Sequence, residues 1–403
     1  MGDKGAPLRI LHVIGRISER FGGPQRYLRE ISSILAARGH TVVVIGSDAG
    51  DRGLTADGAA FSDKTECIVV PGFGGFAFSP QFPLRVRRAL SAADILHVHG
   101  LYTFPASAAA RMARAQRVPY VISPHGAATD YHHITRRWKK APYERLVQAP
   151  ELRHAGAVVT LSEQERVQAQ ANLRVSTKVV VARPPVDIPS RPTNIELDRF
   201  YDDFPELRGK RLVTFMARLS EKKGAPIAVD AFMAAAGDMP DTHLVIAGPD
   251  DEGGLGAALR RNLVATPAAS RVSFLGMVSG ARKRALLGAS SLFILPSADE
   301  SFGLAVAEAM AAGVAVLVTP HVALATEIEA SGAGVVSARR VDELGKAMRG
   351  MLTHEALPQM GVRGRDLIAR DYSDEAAGGG LEDAYNQVLD PPPDGRGAVD
   401  AGA

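Results

Sequence analysis

Thirteen short apolar runs, separated by stretches long enough for a helix, dominate this 403-residue sequence and limit what it can fold into. In the first half they fall at 8–14, 41–48, 68–71, 94–100, 119–126, 157–162 and 179–183, with helix-length segments such as 24–38, 106–117 and 162–171 between them. The runs are near-continuous in Val, Ile and Leu rather than alternating. A strand of that kind is buried on both faces, so it belongs to a parallel sheet with helices above and below. Right-handed crossovers then make this half a doubly wound α/β domain. Between 183 and 210 the rhythm breaks, and Pro184, Pro185, Pro189, Pro192 and Pro205 enclose a polar run that reads as a linker. Further runs at 211–218, 243–249, 272–278, 291–296, 315–320 and 334–337 restart the pattern as a second α/β domain. The expected division is 1–187, 188–372 and 373–403, the last being a helix over 373–389 that returns to the first domain and then a disordered tail. In two open α/β domains facing one another, the strand C-termini line a shared cleft where ligands bind.

Composition removes other classes. Apolar residues make up 46% and charged residues 23%, which excludes a wholly disordered chain. The single cysteine, Cys67, excludes a disulfide framework or a cysteine-rich metal site and fits a reducing compartment. The run at 8–14 is interrupted by Arg9 and followed by Arg16 and Arg20, too short for a signal h-region. No stretch reaches the roughly 18 uncharged apolar residues of a spanning helix, and the best candidate, 302–318, is broken by Glu308 and Gly313. A soluble, cytoplasmic protein is expected. The net charge of +3 hides a split: residues 1–187 hold 25 Lys and Arg against 15 Asp and Glu, and the remainder holds 22 against 29. A basic half beside an acidic half suggests two surfaces with different partners.

The residues with chemistry collect at strand ends. After the run at 291–296 come Ser297, Ala298, Asp299, Glu300, Ser301, Phe302, Gly303 and Leu304, with a helix expected from Ser301 or Phe302. Its first amides would suit a phosphate, and Gly303 lets a ligand approach closely. Glu308 lies eight residues beyond Glu300. At about 1.5 Å per residue that is roughly 12 Å, comparable with the reach from a sugar ring across a diphosphate to a ribose. Glu308 is the only charge in 302–313, and a buried carboxylate needs a partner such as a ribose diol. The plain alternative is a helix-start acid and a surface glutamate.

At the end of the second half's first strand, Arg218, Lys222 and Lys223 precede Gly224. Arg218 as a fork and Lys223 as a point charge could hold a diphosphate, or the segment is a solvated turn neutralised by Glu221. Gly22 and Gly23 before Pro24 permit close approach of the chain to a ligand, or form an ordinary strand–helix turn. They do not form G-x-G-x-x-G, so nicotinamide binding has no fingerprint here. His97 and His99 share one strand face, His125 ends the run at 119–126, and Asp130, His132 and His133 follow. Such a set could hold a metal, but no helical pair such as H-E-x-x-H is present. Imidazoles at strand ends also serve as neutral hydrogen-bond donors in a sugar cleft. Neither a metal nor a cofactor is expected.

These residues resemble the retaining, nucleotide-sugar-dependent glycosyltransferases of the GT-B fold (glycosyl transferase group 1), especially the polysaccharide-biosynthesis branch. The resemblance runs from about residue 10 to 372. It is carried by Glu300 and Glu308 with Phe302, Gly303 and Leu304 between them and Ala309-Met310-Ala311-Ala312-Gly313 after, and by Arg218 and Lys223. Ala247-Gly248-Pro249, Phe274-Leu275-Gly276 and Glu327 with Gly332 and Gly334 support it, as do Val98-His99-Gly100-Leu101 and Ile122-Ser123-Pro124-His125-Gly126 in the first half. It implies two Rossmann-like doubly wound domains facing a cleft, the first on the acceptor side and the second binding the donor. By resemblance, Arg218 and Lys223 bind the donor diphosphate, Glu300 lies beside the donor sugar, and His125 reaches that sugar near the reacting carbon. Amides around Ser301, Phe302, Gly303 and Leu304 would hold sugar and β-phosphate, Glu308 the ribose, and Gly22 and Gly23 would face the phosphates. One departure is Arg183-Pro184-Pro185-Val186-Asp187, where many members have Pro-Asn-Gly-Val-Asp.

The chemistry agrees. Positioned cations and helix-end amides oppose the negative charge that grows on a departing diphosphate, so no divalent metal is required. Retention by front-face substitution is expected. The competing readings are a sugar-nucleotide epimerase or phosphorylase on the same architecture, a non-catalytic subunit, and a metal-dependent hydrolase. The acceptor would be a glycan or a lipid-diphosphate-linked sugar, and no nucleic-acid partner is expected. Arg136, Arg137, Trp138, Lys139 and Lys140, with Arg145 beyond, are either a solvated helix face or a surface for an anionic membrane. The second reading places the protein peripherally at the inner face of the membrane, with attachment weakened by salt.

Overall fold

The computed structural model describes residues 6–18, 21–59, 61–129, 142–173, 177–250, 254–264, 266 and 269–390. The chain divides into two compact units, 1–185 together with 374–403, and 186–373.

The first unit holds a seven-stranded parallel sheet built from β1 (Arg9–Arg16), β2 (Thr41–Ser47), β3 (Thr65–Val70), β4 (Ile95–His99), β5 (Tyr120–Ser123), β6 (Ala157–Thr160) and β7 (Val179–Val181). Its order is β3-β2-β1-β4-β5-β6-β7. The central strand shows why the apolar runs are continuous. Ile10 and Ile14 pack into one layer with Leu28, Ile31 and Leu35, while Leu11 and Val13 pack into the opposite layer with Phe82 and Val86. Both faces are dry, so residues pointing either way are mostly apolar.

The helix Asp374–Leu389 belongs to this unit and completes the first layer with Ala377, Leu381 and Tyr385. Arg38 grips it through two hydrogen bonds to Glu382, of 2.7 and 2.8 Å. Gly378 allows the close approach, since a β-carbon there would lie 2.7 Å from the Arg38 side chain.

The second unit has six parallel strands, β8 (Arg211–Met216), β9 (Thr242–Ala247), β10 (Val272–Gly276), β11 (Ser290–Leu295), β12 (Ala315–Val318) and β13 (Gly334–Val336), in the order β10-β9-β8-β11-β12-β13. The winding is that of the first sheet. In each, the order reverses beside the first strand, between β1 and β4 and between β8 and β11, where open α/β sheets bind ligands.

The stretch read as a linker is structured. It contains the helix Asn194–Asp203, opened by a capping box of Thr193 and Glu196, and Phe200 is buried in the second unit's core. Leu197, Phe200, Tyr201 and Phe204 recur at helical spacing, a signal masked by the surrounding prolines and charges.

Candidate active site

In the second unit the loops after β8 and β11 lie on the two strands that flank the order reversal, and they are knitted together. Ala298 donates its N–H to the Lys222 carbonyl (2.8 Å), and the Ser297 hydroxyl donates to the same oxygen (3.2 Å). Arg339 donates to the carbonyls of Pro296 (2.9 Å) and Glu221 (2.7 Å), one on each loop. Two glycines let the loop after β8 lie close to its neighbours on both sides, after β11 and after β9. A β-carbon on Gly224 (φ +80°) would lie 2.3 Å from the Pro296 carbonyl oxygen, and one on Gly248 (φ +139°) 1.9 Å from that of Ala217. No side chain fits at those distances.

Opposite charges meet along this seam. Lys222 Nζ lies 2.7 Å from an Asp299 carboxylate oxygen, and Lys223 Nζ pairs directly with Glu300 Oε1. Glu300 is also held through its backbone, which donates to the His321 carbonyl (2.9 Å) and accepts from Ala323 (3.1 Å). Arg218 is exposed on the loop after β8.

The following helix is Leu304–Ala311, capped by Gly303 at φ +90°. It begins later than expected because glycine takes the left-handed conformation there, which turns the chain before the helix can start. The 12 Å spacing assumed one helix from Glu300 to Glu308; the loop now sets that distance. The first intrahelical bond runs from Val306 N–H to the Gly303 carbonyl (2.9 Å), so the amides of Leu304 and Ala305 come before it. Ser301 is half-buried, and the Phe302 ring is buried against Tyr372. Glu308 has a protein partner, Lys283 Nζ at 2.9 Å. Lys283 lies on the helix Gly280–Ala289, a residue the sequence does not mark.

In the first unit, Gly22 (φ +114°) caps the helix Gly23–Ala37, a backbone conformation that favours glycine. Gln25 ties that helix start to β1 by donating to the Arg16 carbonyl (3.0 Å). The histidines cluster more closely than expected. His12 and His97 are register partners on β1 and β4, and His12, His97 and His99 are all buried. Ring nitrogens of His12 and His99 lie 2.8 Å apart, as do those of His99 and His125. His97 bonds the Tyr385 and Ser123 hydroxyls, each at 2.8 Å. Burial pushes all four imidazoles down, His12 to about 3 and His125 to about 4, so they are neutral at pH 7.

His125 sits at φ +51° in a turn held from below by buried Glu165. That carboxylate accepts from the amides of Gly126 (2.7 Å) and Leu161 (2.8 Å). In sequence Glu165 is an unremarkable helix-start acid three residues after Ser162. Among the described residues, His12, His97 and His99 form the one group whose ligand atoms lie close enough together, within 4.8 Å, to suggest a metal. Their spacing and partners are those of hydrogen-bonded rings, since 2.8 Å is a hydrogen-bond length and both nitrogens of His97 face hydroxyls. Asp130, His132, His133 and the basic segment 136–140 lie outside the described residues, as does the tail 391–403.

Twin sheets of this winding, with cations, carboxylates and a helix start gathered at the second sheet's switch point, are what a GT-B glycosyltransferase requires. Residues 22–185 match the model of the glycosyl transferase 4-like domain, and residues 199–364 match that of the glycosyl transferases group 1. The chain belongs to the group 1 glycosyltransferases. It is 25% identical over 308 residues to the phosphatidyl-myo-inositol mannosyltransferase of Mycobacterium tuberculosis, covering 73% of each chain. It is 26% identical over 273 residues to the GDP-mannose:cellobiosyl-diphosphopolyprenol alpha-mannosyltransferase of Xanthomonas campestris, covering 65% of this chain and 66% of that one. Among solved structures, a glycosyltransferase from Rickettsia africae superposes with a TM-score of 0.76 at 16% identity, over 96% of this chain and all of that one. Anabaena HepE in complex with UDP-glucose gives 0.74 at 17% identity, over 94% of this chain and all of that one.

Proposed function

We propose that the chain moves a hexose, with retention at the anomeric carbon, from a nucleotide-diphosphate sugar to a glycan or lipid-diphosphate-linked acceptor in surface-polysaccharide or related glycan assembly. The observation that carries this reading is the seam of Lys222–Asp299 and Lys223–Glu300 pairs at the strand-order reversal, beside the glycine-capped helix start at Leu304. Breaking a glycosyl–phosphate bond leaves positive charge on the sugar and negative charge on the diphosphate. Arg218, Lys223 and the amides of Leu304 and Ala305 supply fixed positive charge to the leaving side, and Glu300 faces the sugar side. In the first unit His125 is neutral, so it would not repel positive charge growing on a sugar brought against it.

Two relatives, one named for using GDP-mannose and both named for acting on lipid acceptors, support this donor and acceptor class. Among the described residues no helix is long and apolar enough to cross a membrane, so a cytoplasmic protein meeting its lipid acceptor peripherally at the inner face is the arrangement we favour. A screen of GDP-, UDP-, ADP- and dTDP-sugars for thermal stabilisation and slow hydrolysis tests the reading, followed by proton NMR of the product anomer. An inverted product, or no donor bound, refutes it.

With cations at the diphosphate, activity is expected to survive excess chelator; loss reversed only by a divalent ion would overturn that. Glu308→Gln is expected to weaken donor binding by about tenfold with little change in kcat, because a ribose contact exists in the ground state. Isothermal titration with the donor found in the screen measures this, and unchanged affinity would remove Glu308 from the ribose.

A further inference from the structure

Three phenylalanines of the first unit are held out into water by a braced hairpin. After β3 the chain doubles back, and Phe73 and Phe78 exchange two backbone hydrogen bonds of 2.9 Å. Arg16 donates to the Gly75 carbonyl at the tip (3.0 Å), and the Phe104 amide donates to the Phe76 carbonyl (2.8 Å). Ala77 is buried in the turn at φ +53°. A residue with a side chain stays in that conformation only where its surroundings fix it. Yet Phe73, Phe76 and Phe78 are 51, 42 and 48% exposed. Of the ten large apolar side chains exposed among the described residues, these three and Leu84 fall within twelve positions, so they form a patch rather than a scatter.

The rim of the patch is cationic. The hairpin runs into the helix Phe82–Leu90, whose Phe82, Val86 and Leu90 face the core. Leu84, Arg85, Arg87 and Arg88 therefore face water. From 67 to 93 the sequence holds no Asp or Glu. Arg52, on the loop after β2, lies over the Phe73 ring at 5.7 Å. Acids on neighbouring loops are engaged: Asp48 accepts from the Gly72 amide (2.8 Å), Asp51 from the Ser18 hydroxyl, and Glu144 from the Tyr102 hydroxyl (2.8 Å).

Single exposed apolar side chains need no explanation, but adjacent rings with a polar rim mark a docking surface. Arginines in a stretch without acids select an anionic partner, and protruding aromatic rings beside them suit the boundary between lipid headgroups and acyl chains. We infer that the hairpin 73–78 and the arginine face of the helix Phe82–Leu90 dock the first unit on an anionic lipid surface. The inference deepens the proposed function and rests on it for a lipid-borne acceptor. The hairpin, Arg52 and Phe104 follow β3, β2 and β4, at the strand C-termini where an open α/β sheet binds its ligands. Docking there brings lipid to that end of the first sheet. The surface is separate from the basic segment 136–140.

Co-sedimentation of the full-length protein with vesicles of phosphatidylglycerol and phosphatidylcholine tests this, with pure phosphatidylcholine vesicles as the neutral control. Binding is expected to the first and not to the second, weakening as salt is raised. Phe73→Ser with Phe76→Ser removes the inserting rings and is expected to lower partitioning by about tenfold or more. Arg85→Gln, Arg87→Gln and Arg88→Gln together are expected to lower it at least as far at low salt and little at high salt. Arg199→Gln with Arg261→Gln, two exposed arginines of the second unit, is expected to change nothing. No binding to the anionic vesicles, equal binding to both kinds, full binding by either patch variant, or a wild-type dimer abolished by the Phe73/Phe76 pair would overturn the inference. Melting curves check that the variants fold; if the Phe73/Phe76 pair does not, the arginine variant decides. Vesicle binding is measured without donor, so it stands if no sugar transfer is found, whereas transfer without vesicle binding sinks this inference alone.

Discussion

Lys223→Ala is expected to lower kcat by about 10²- to 10³-fold, the cost of removing one preorganised charge from a developing anion. Lys223 Nζ is held against Glu300 at the end of β8, with both side chains largely shielded from solvent. As a structural ion pair it would contribute only about 0–1 kcal/mol, so its loss should move the thermal midpoint little. A fall of two decades or more in turnover is too large for that role. Because charge on the leaving diphosphate grows toward the transition state, the loss belongs in kcat rather than in donor affinity. Glu300→Ala is expected to act in the same direction. Lys223→Ala alone leaves the Glu300 carboxylate without its lysine partner beside the leaving diphosphate, so the double variant should be no worse than Lys223→Ala. Steady-state kinetics and melting curves on the three variants check this. Wild-type turnover in all three, with folding intact, would return the pair to a structural role.

Acid is expected to unfold the first unit well before the second. His12, His97, His99 and His125 are all pushed below their ordinary value of 6.5 by burial. The unfolded chain then binds more protons than the folded one below pH 6.5, so stability is complete above that pH and falls as pH drops toward about 3 to 4. Each ring contributes about 1.4 kcal/mol per pH unit within this window. Glu151 works the other way. Burial lifts its carboxyl from 4.5 to about 7, so it favours the folded state as pH falls through that range. Four rings against one carboxyl leave a net slope of up to about 4 kcal/mol per pH unit. In the second unit His243 is lowered by burial in the same sense, one ring rather than four. Urea unfolding followed by circular dichroism at a series of pH values should show one transition moving steeply and the other slowly. A midpoint that stays level from about pH 7 to about pH 5 would contradict the buried, neutral cluster.

Gly22, Gly23, Arg218, Lys223, Glu300 and Gly303 stand out in the sequence because they follow apolar runs, where a parallel sheet presents its loops, and Glu308 because it is the only charge in 302–313. The seam that joins two of those loops does not. The Lys222–Asp299 and Lys223–Glu300 pairs form between segments 77 residues apart, brought together only by the strand order β8-β11. Lys283 reaches Glu308 from a separate helix.

The sequence by itself determined two parallel α/β sheets, because burial on both faces favours apolar residues along nearly the whole of a strand and that preference is local. It also placed the glycines, whose positive φ is a property of one residue. Only the tertiary structure decided that His12, one polar residue inside the apolar run of β1, faces His97 across the β1–β4 register and bonds His99. It also brought Tyr385 from the returning C-terminal helix to His97, 288 residues away, and set Glu165 beneath the His125 turn. Strand register and helix return are chosen by the free energy of the whole packed layer, which no local periodicity encodes.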